Sequence, residues 1–270
     1  HYRDVIYTPM GRASLTTKRL RLTLPDTMAF LKNIGIFRIE EGKVRPLPLA
    51  FQLGQISNQN EANLLLIEAI LKSKYPAYWC FLWLLNNRRL IKIPGGFARR
   101  SKSLRPFLWE LGLHTDVASF YTIRDLFYEL EAINWYIDSE GNEYLYPTIA
   151  VVEGAVDDSA WHYSFSVGSF KILHRRRLSM DLFFDVLVRS YLRLTRSRFD
   201  TEADLLSVRD DLCNDYRISD QHFSELLTEA QKYSEKRIAI RLSFGSIHKK
   251  RRNYALKITT LPRVSSDRLA

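Results

Sequence analysis

The chain has little cysteine, little glycine and no long apolar run. Of its 270 residues only Cys80 and Cys213 are cysteine, which excludes a disulfide framework and a cysteine-rich zinc site. Both are read as small core residues. Eleven glycines and nine prolines are too few for a low-complexity or collagen-like chain. The most apolar stretch, Tyr75 to Leu85, has eleven residues, whereas a bilayer-crossing helix needs about 20. It reads instead as a buried helix with Pro76 in its first turn. His1 to Leu20 is polar and carries Arg3, Arg12, Lys18 and Arg19 with no apolar segment. No secretory leader is expected there, and the chain is read as a soluble, cytoplasmic protein without a membrane partner.

Catalytic signatures are equally scarce. The sequence holds no G-x-x-x-x-G-K-[ST] or G-x-G-x-x-G loop, no H-x-x-x-H, no C-x-x-C and no G-x-S-x-G. Its histidines (His1, His114, His162, His174, His222 and His248) are dispersed, without metal-ligand spacing. No catalytic residue, metal or cofactor is therefore expected. One pattern, Pro25-Asp26 followed by Glu41-Gly42-Lys43, formally resembles the PD-(D/E)xK nuclease signature. Such a site needs an Asp and a Glu on adjacent strands to hold a divalent metal, and a Lys to orient water. The competing reading makes Pro25-Asp26 a helix start and Glu41-Gly42-Lys43 an exposed hairpin tip. A metal nuclease thus stands as the minor alternative.

What is present is a core and an excess of positive charge. With 46% hydrophobic and 13% aromatic residues the chain can fold around real cores. Forty Lys plus Arg against thirty Asp plus Glu give a net charge of +10, which favours a polyanionic partner. The surplus is not a tail: residues 1–150 hold 19 bases and 14 acids, residues 151–270 hold 21 and 16, so each half carries +5.

Periodicity orders the elements. Pro25 to Gly35 reads as a helix, and 36–39 and 44–47 as a hairpin about Glu40–Lys43. Helices follow at 60–71 and 76–85, a short strand at 88–94, a break at Gly95-Gly96 and a helix near 106–111. Thr122 to Ala132 is amphipathic and leads into strands 134–137 and 143–146. Glu153 to Ser159 reads as a linker, followed by a hairpin over 161–174. Helices are expected at 181–194, 201–213 and 219–233, then strands at 236–242 and 254–258. The domains read as 1–152, a linker and β-hairpin at 153–178, and 179–270.

Three helices and a two-stranded wing, in that order, resemble the winged-helix family over about residues 179–260. The segments 122–146 and 26–47 look like further wings with fewer helices. The resemblance implies an α+β, predominantly helical chain of tandem winged-helix-like modules.

The bases are clustered. Residues 88–105 contain seven bases and no acid, 171–198 eight bases against two acids, and 232–263 ten bases against one acid. Phosphate binding needs several neighbouring cations, because affinity comes from displaced counterions. The candidate nucleic-acid contacts are Arg88, Arg89, Arg99, Arg100, Lys102 and Arg105 in the first half. In the second they are Arg175, Arg176, Arg177, Lys249, Lys250, Arg251 and Arg252, with His248 beside the last four. Residues 200–229 hold nine acids and two bases, so a third helix offering Asp220, Glu225 and Glu229 beside Gln221, His222 and Ser224 repels phosphates. That argues against groove reading by this helix and marks the 200–229 face for a protein partner. Tyr136, Tyr144 and Tyr146 are candidates for base stacking, against a core role. The leading expectation is a non-enzymatic nucleic-acid-binding protein, with DNA the foremost ligand, held by basic wings and loops. The alternative is an adaptor subunit of a larger restriction, defence or chromosome-handling complex that uses winged helices for protein docking.

Overall fold

Apolar residues at three- and four-residue spacing make helices of Gln59–Leu71 and Pro76–Arg88, each with one buried face. The computed structural model describes residues 28–73, 75–98, 101–115, 117–138, 140–154, 160–233, 238–244 and 254–260. The chain divides into units 1–174 and 175–270. About half of the described residues are helical and the strands form small antiparallel sheets, an α+β chain.

The first unit opens with α1 (28–33) and a hairpin of β1 (Phe37–Glu40) and β2 (Lys43–Pro46). The helix α2 (Pro48–Gln55), unanticipated, buries none of its residues. Helices α3 (Gln59–Leu71) and α4 (Pro76–Arg88) follow, then β3 (Ile91–Ile93), the single turn α5 (Gly95–Ala98), α6 (Ser101–Glu110) and α7 (Val117–Glu129). Next are β4 (Ile133–Ile137), β5 (Glu143–Pro147), β6 (Ile149–Glu153), β7 (Trp161–Val167) and β8 (Phe170–Arg175). Ile67, Phe81, Leu82, Leu108, Phe127 and Leu145 belong to one continuous core. Helix α6 starts earlier than the periodicity suggested and runs through Pro106. Leu104 and Leu108, one turn apart and fully buried, hold that helix against the proline's missing hydrogen bond. Cys80 corrects an expectation, for it is exposed. Tyr78, Phe81, Leu82 and Leu85 take the inner face of α4, and Cys80 falls on the outer one.

The linker expected at 153–159 lies mostly outside the described residues, and the hairpin after it does not stand apart. β8 pairs with β6 from Ile149↔His174 to Glu153↔Phe170, in a sheet of order β6-β8-β7. Val151, Phe165 and Ile172 join the first core. Residues 161–174 thus complete the first unit, and the division falls at Arg175.

The second unit runs α8 (Met180–Leu194), β9 (Ala203–Asp204), α9 (Leu205–Tyr216), α10 (Asp220–Tyr233), β10 (Ile238–Phe244) and β11 (Tyr254–Thr260). Side-chain oxygens set the helix starts: Ser179 accepts from the Leu182 N–H and Asp204 from the Ser207 N–H. Phe183, Leu187, Tyr191, Leu212, Phe223 and Ile258 are among its fully buried side chains.

One topology occurs twice. In α4–β3–α6–α7–β4–β5 the short strand β3 pairs antiparallel with β5, giving the sheet β3-β5-β4. In α8–β9–α9–α10–β10–β11 the short strand β9 pairs antiparallel with β11, giving β9-β11-β10. A helix, a short strand, two helices and a hairpin recur in order, with the single turn α5 added after β3 in the first copy and the last strand central in each sheet.

Candidate nucleic-acid interface

The strip 88–105 lies along the first of these copies. Arg88 ends α4, and Arg89 caps it in the left-handed region (φ 59°), its N–H donating to the Leu85 carbonyl at 2.8 Å. Both side chains are exposed. On β3 the strand alternation buries Ile91 and Ile93 and sends Lys92 outward, 5.4 Å from the Tyr144 ring centroid. Arg105 is exposed on α6, its guanidinium 4.8 Å from the ring of Trp109, itself 46% exposed. Arg88, Arg89 and Arg105 have no carboxylate partner among the described residues. Lys102 lies in α6, while Arg99 and Arg100 fall outside the described residues.

In the second unit Arg175 is half-buried with its guanidinium 5.9 Å from the Tyr216 ring, and Arg176 is exposed. Arg177 pairs with Glu229 at 3.1 Å. The loop holding His248, Lys249, Lys250, Arg251 and Arg252 is outside the described residues.

The acidic face at 200–229 is spent largely inside the unit. Arg193 on α8 bridges Asp211 and Asp215 on α9, and Ser190 donates to Asp211. The buried Arg209 meets Asp210 at 2.6 Å and Asp220 at 3.6 Å. Asp200 accepts from the Thr259 hydroxyl at 2.7 Å and Asp204 caps α9. Glu225 accepts from Gln221, and Glu229 is held by Arg177. Burial raises the Asp220 carboxyl above its ordinary value against the pull of Arg209. His222, read from sequence as a neutral contact, is half-buried. Burial first, then Arg177, lower its proton affinity, and its Nε2 is a buried atom without a hydrogen-bond partner. The third helix of this unit is therefore no ready-made reader of base edges.

The third helix of the first copy, α7, is no more basic. Its one arginine, Arg124, is buried and ion-paired to Glu143 on β5 and to Asp125. The guanidinium lies 3.8 Å from the Trp135 ring and 4.5 Å from that of Tyr121. Sequence reasoning passed over this residue; its signal was a cation between Ile123 and Phe127 on an apolar helix face. The hairpin turn after β4 is acidic, with Asp138 accepting from the Glu140 and Asn142 N–H groups, each at 2.9 Å. The asparagine amide and Tyr144 hydroxyl add to these bonds and hold the Asp138 carboxyl down at about 2.

Tyr136, Tyr144 and Tyr146 come together, but on one another. Tyr136 stacks on Tyr144 with centroids 4.9 Å apart and on Tyr146 at 5.5 Å. Its hydroxyl lies 2.7 Å from that of Tyr146, and Lys92 is placed over Tyr144. Ring faces that bases would need are thus largely taken by neighbouring side chains.

Glu41, Gly42 and Lys43 are exposed at the β1–β2 turn, with Glu41 in the left-handed region (φ 51°). Asp26, the other half of the nuclease pattern, is outside the described residues. Among the described residues no three His, Cys, Asp or Glu side chains are grouped to hold a metal ion, and no helix is long and apolar enough to cross a membrane. Comparison of the chain with protein-family models, curated proteins and solved structures found no match.

Proposed function

We propose that the chain is a nucleic-acid-binding protein of two winged-helix-like modules that grips the phosphate backbone through basic loops. The six elements that the two copies share, each set ending in a hairpin whose second strand is flanked by the short first strand, support the module reading. The observation that carries the binding reading is the sorting of charge. In the second unit Asp210, Asp211, Asp215, Asp220 and Glu229 are taken up by internal pairs, and in the first module Asp125 and Glu143 meet Arg124 while Asp138 meets backbone N–H groups. Arg88, Arg89 and Arg105 are left facing solvent. The only arginine of α7 is buried and α10 offers a single lysine, Lys232 in its last turn, so the contacts are to phosphates and carry little sequence information.

The test is binding to DNA over a salt series. Replacing Arg88, Arg89 and Arg105 by glutamate lowers the slope of log K against log [salt] by about 0.9 for each duplex phosphate left unneutralised. An unchanged slope would show that these arginines do not meet phosphate.

One observation favours the adaptor as a second reading. Ile39, Val44 and Phe51 are 50%, 57% and 60% exposed, and Ile39 and Val44 face each other across β1 and β2. Solvated apolar residues on an appendage are a protein-docking chemistry. A partner protein retained after nuclease treatment, and lost on Phe51→Asp, supports it; retention by the variant refutes it.

A further inference from the structure

The copies differ almost everywhere in chemistry, yet agree at one corner, the connection from first helix to first strand. In the first copy this corner is Arg88-Arg89-Leu90: Arg89 is left-handed (φ 59°) and Leu90 is 37% exposed. In the second it is Thr195 to Thr201, where Arg196 (φ 54°), Ser197 (φ 62°) and Asp200 (φ 61°) are all left-handed. Arg196 and Arg198 are exposed there, beside Leu194 and Phe199 at 43% and 36% exposure. Neither Arg196 nor Arg198 has a carboxylate partner among the described residues. Their neighbours do: Arg193 is committed to Asp211 and Asp215, and Lys257 to Asp200 at 3.9 Å.

The second corner is also held firmly. Ser197 N–H donates to the Leu192 carbonyl at 2.7 Å and Asp200 N–H to that of Ile258 at 3.0 Å. The buried Tyr191 hydroxyl donates to the Thr201 carbonyl at 2.5 Å. A cation closing a helix end complements the helix dipole, which accounts for Arg88 and Arg193. It extends to Arg89, which caps α4, but does not account for Arg196 and Arg198, which lie past the Thr195 cap of α8, nor for the left-handed backbone of Arg89 and Arg196, where glycine sits without steric cost.

We infer that this corner is a phosphate-contacting element common to both copies, with Arg88 and Arg89 in one and Arg196 and Arg198 in the other. Two like corners suit a ligand that itself repeats, a polynucleotide backbone, rather than a single nucleotide. The inference rests on the nucleic-acid reading and deepens it, since Arg196 and Arg198 belong to none of the three contacts used for that test.

The experiment uses the full chain and three double variants: Arg88→Gln with Arg89→Gln, Arg196→Gln with Arg198→Gln, and Arg38→Gln with Arg45→Gln as an equal-charge control on the β1–β2 hairpin. Glutamine keeps the stem and tolerates the same backbone, and matched unfolding midpoints verify folding. Each is titrated with a duplex and a single strand of equal length over a salt series, with ATP as competitor. Each corner variant is expected to flatten the duplex salt slope by about 1.8, at roughly 0.9 for each phosphate. On a single strand the expected fall is about 1.4, at roughly 0.7 for each, so the two arms identify which backbone is held. The control leaves both slopes unchanged, and ATP competes weakly. If the Arg196/Arg198 variant binds like wild type while the Arg88/Arg89 variant weakens, the equivalence of the corners is overturned and the nucleic-acid reading survives. Equal weakening by the hairpin control, or full competition by ATP, overturns the corner as well. Absence of wild-type binding to either nucleic acid overturns the underlying reading.

Discussion

Replacing Glu143 with alanine strands Arg124 inside the first unit, and the structure sets the size of the penalty. The Arg124 and Glu143 side chains are 8% and 6% exposed, with Nη1 and Oε2 in contact at 2.5 Å. Removing one partner of a buried ion pair costs about 3–5 kcal/mol, because the remaining charge stays in a low-dielectric site. Asp125, whose side chain is 35% exposed, still touches the guanidinium, and the Tyr121 and Trp135 faces add a cation–π contribution of about 1 kcal/mol each. Both survive the substitution, so the expected loss is near the lower limit, about 3 kcal/mol. Replacing both partners, Arg124→Met with Glu143→Leu, removes the charge from the site and is expected to cost less than the single change. Urea unfolding followed by circular dichroism measures both. It should be fitted with separate transitions for the two units if the curve demands them. A loss below about 1 kcal/mol for Glu143→Ala, or a double variant as damaged as the single, would refute the buried-pair argument.

Three further outcomes follow from the same packing. A Cβ on Gly95 would lie 2.6 Å from the Glu140 carbonyl oxygen, and the Gly95 N–H already donates to Asn142 Oδ1. Gly95→Ala is therefore expected to lose about 1–3 kcal/mol by overpacking, and an unchanged melting temperature would contradict that close approach. Asp138 is held at about 2 against an ordinary 3.8; a lowered carboxyl stabilises fully above its unfolded value and loses that contribution as pH falls through the folded one. The wild type should thus lose more stability than Asp138→Asn between about pH 4 and 2, and parallel pH curves would deny Asp138 its role in the turn. Burial pushes the Cys213 thiol well above its usual range, whereas Cys80 is exposed. Alkylation of the native protein followed by mass spectrometry should modify Cys80 first; equal rates would refute the assigned burial.

Periodicity carried much of this fold. Strands 133–137 and 143–147, the helices of the second unit and the 37–46 hairpin lie within a few residues of where alternation and three-to-four spacing put them. What escaped was pairing at a distance. β3 and β9 are three and two residues long, and nothing local in so short a strand specifies its partner. The repeat lies in their pairing with β5 and β11, which is set by tertiary contact. β6 was lost between the β5 strand and the acidic stretch after it, which moved the apparent boundary away from Arg175. Charge is likewise only half legible. The acids of α9 and α10 read as one run because sequence does not show which of them Arg177, Arg193 and Arg209 pair with. Arg89, Arg105 and the stacked tyrosines were legible as residue types, but whether a cation meets water or a carboxylate is decided by tertiary neighbours.

The division of charge separates two responses to salt. The pairs that fasten α9 to its neighbours include a fully enclosed arginine, Arg209, and enclosed pairs are screened little by dissolved ions. Arg88, Arg89 and Arg105 stand in water, where the screening length shortens to about 3 Å at 1 M salt. Under the proposed nucleic-acid reading, rising ionic strength should therefore strip the polyanion from an otherwise intact chain. Release and unfolding would then be independent events, and the protein would be freed of nucleic acid without passing through an unfolded state.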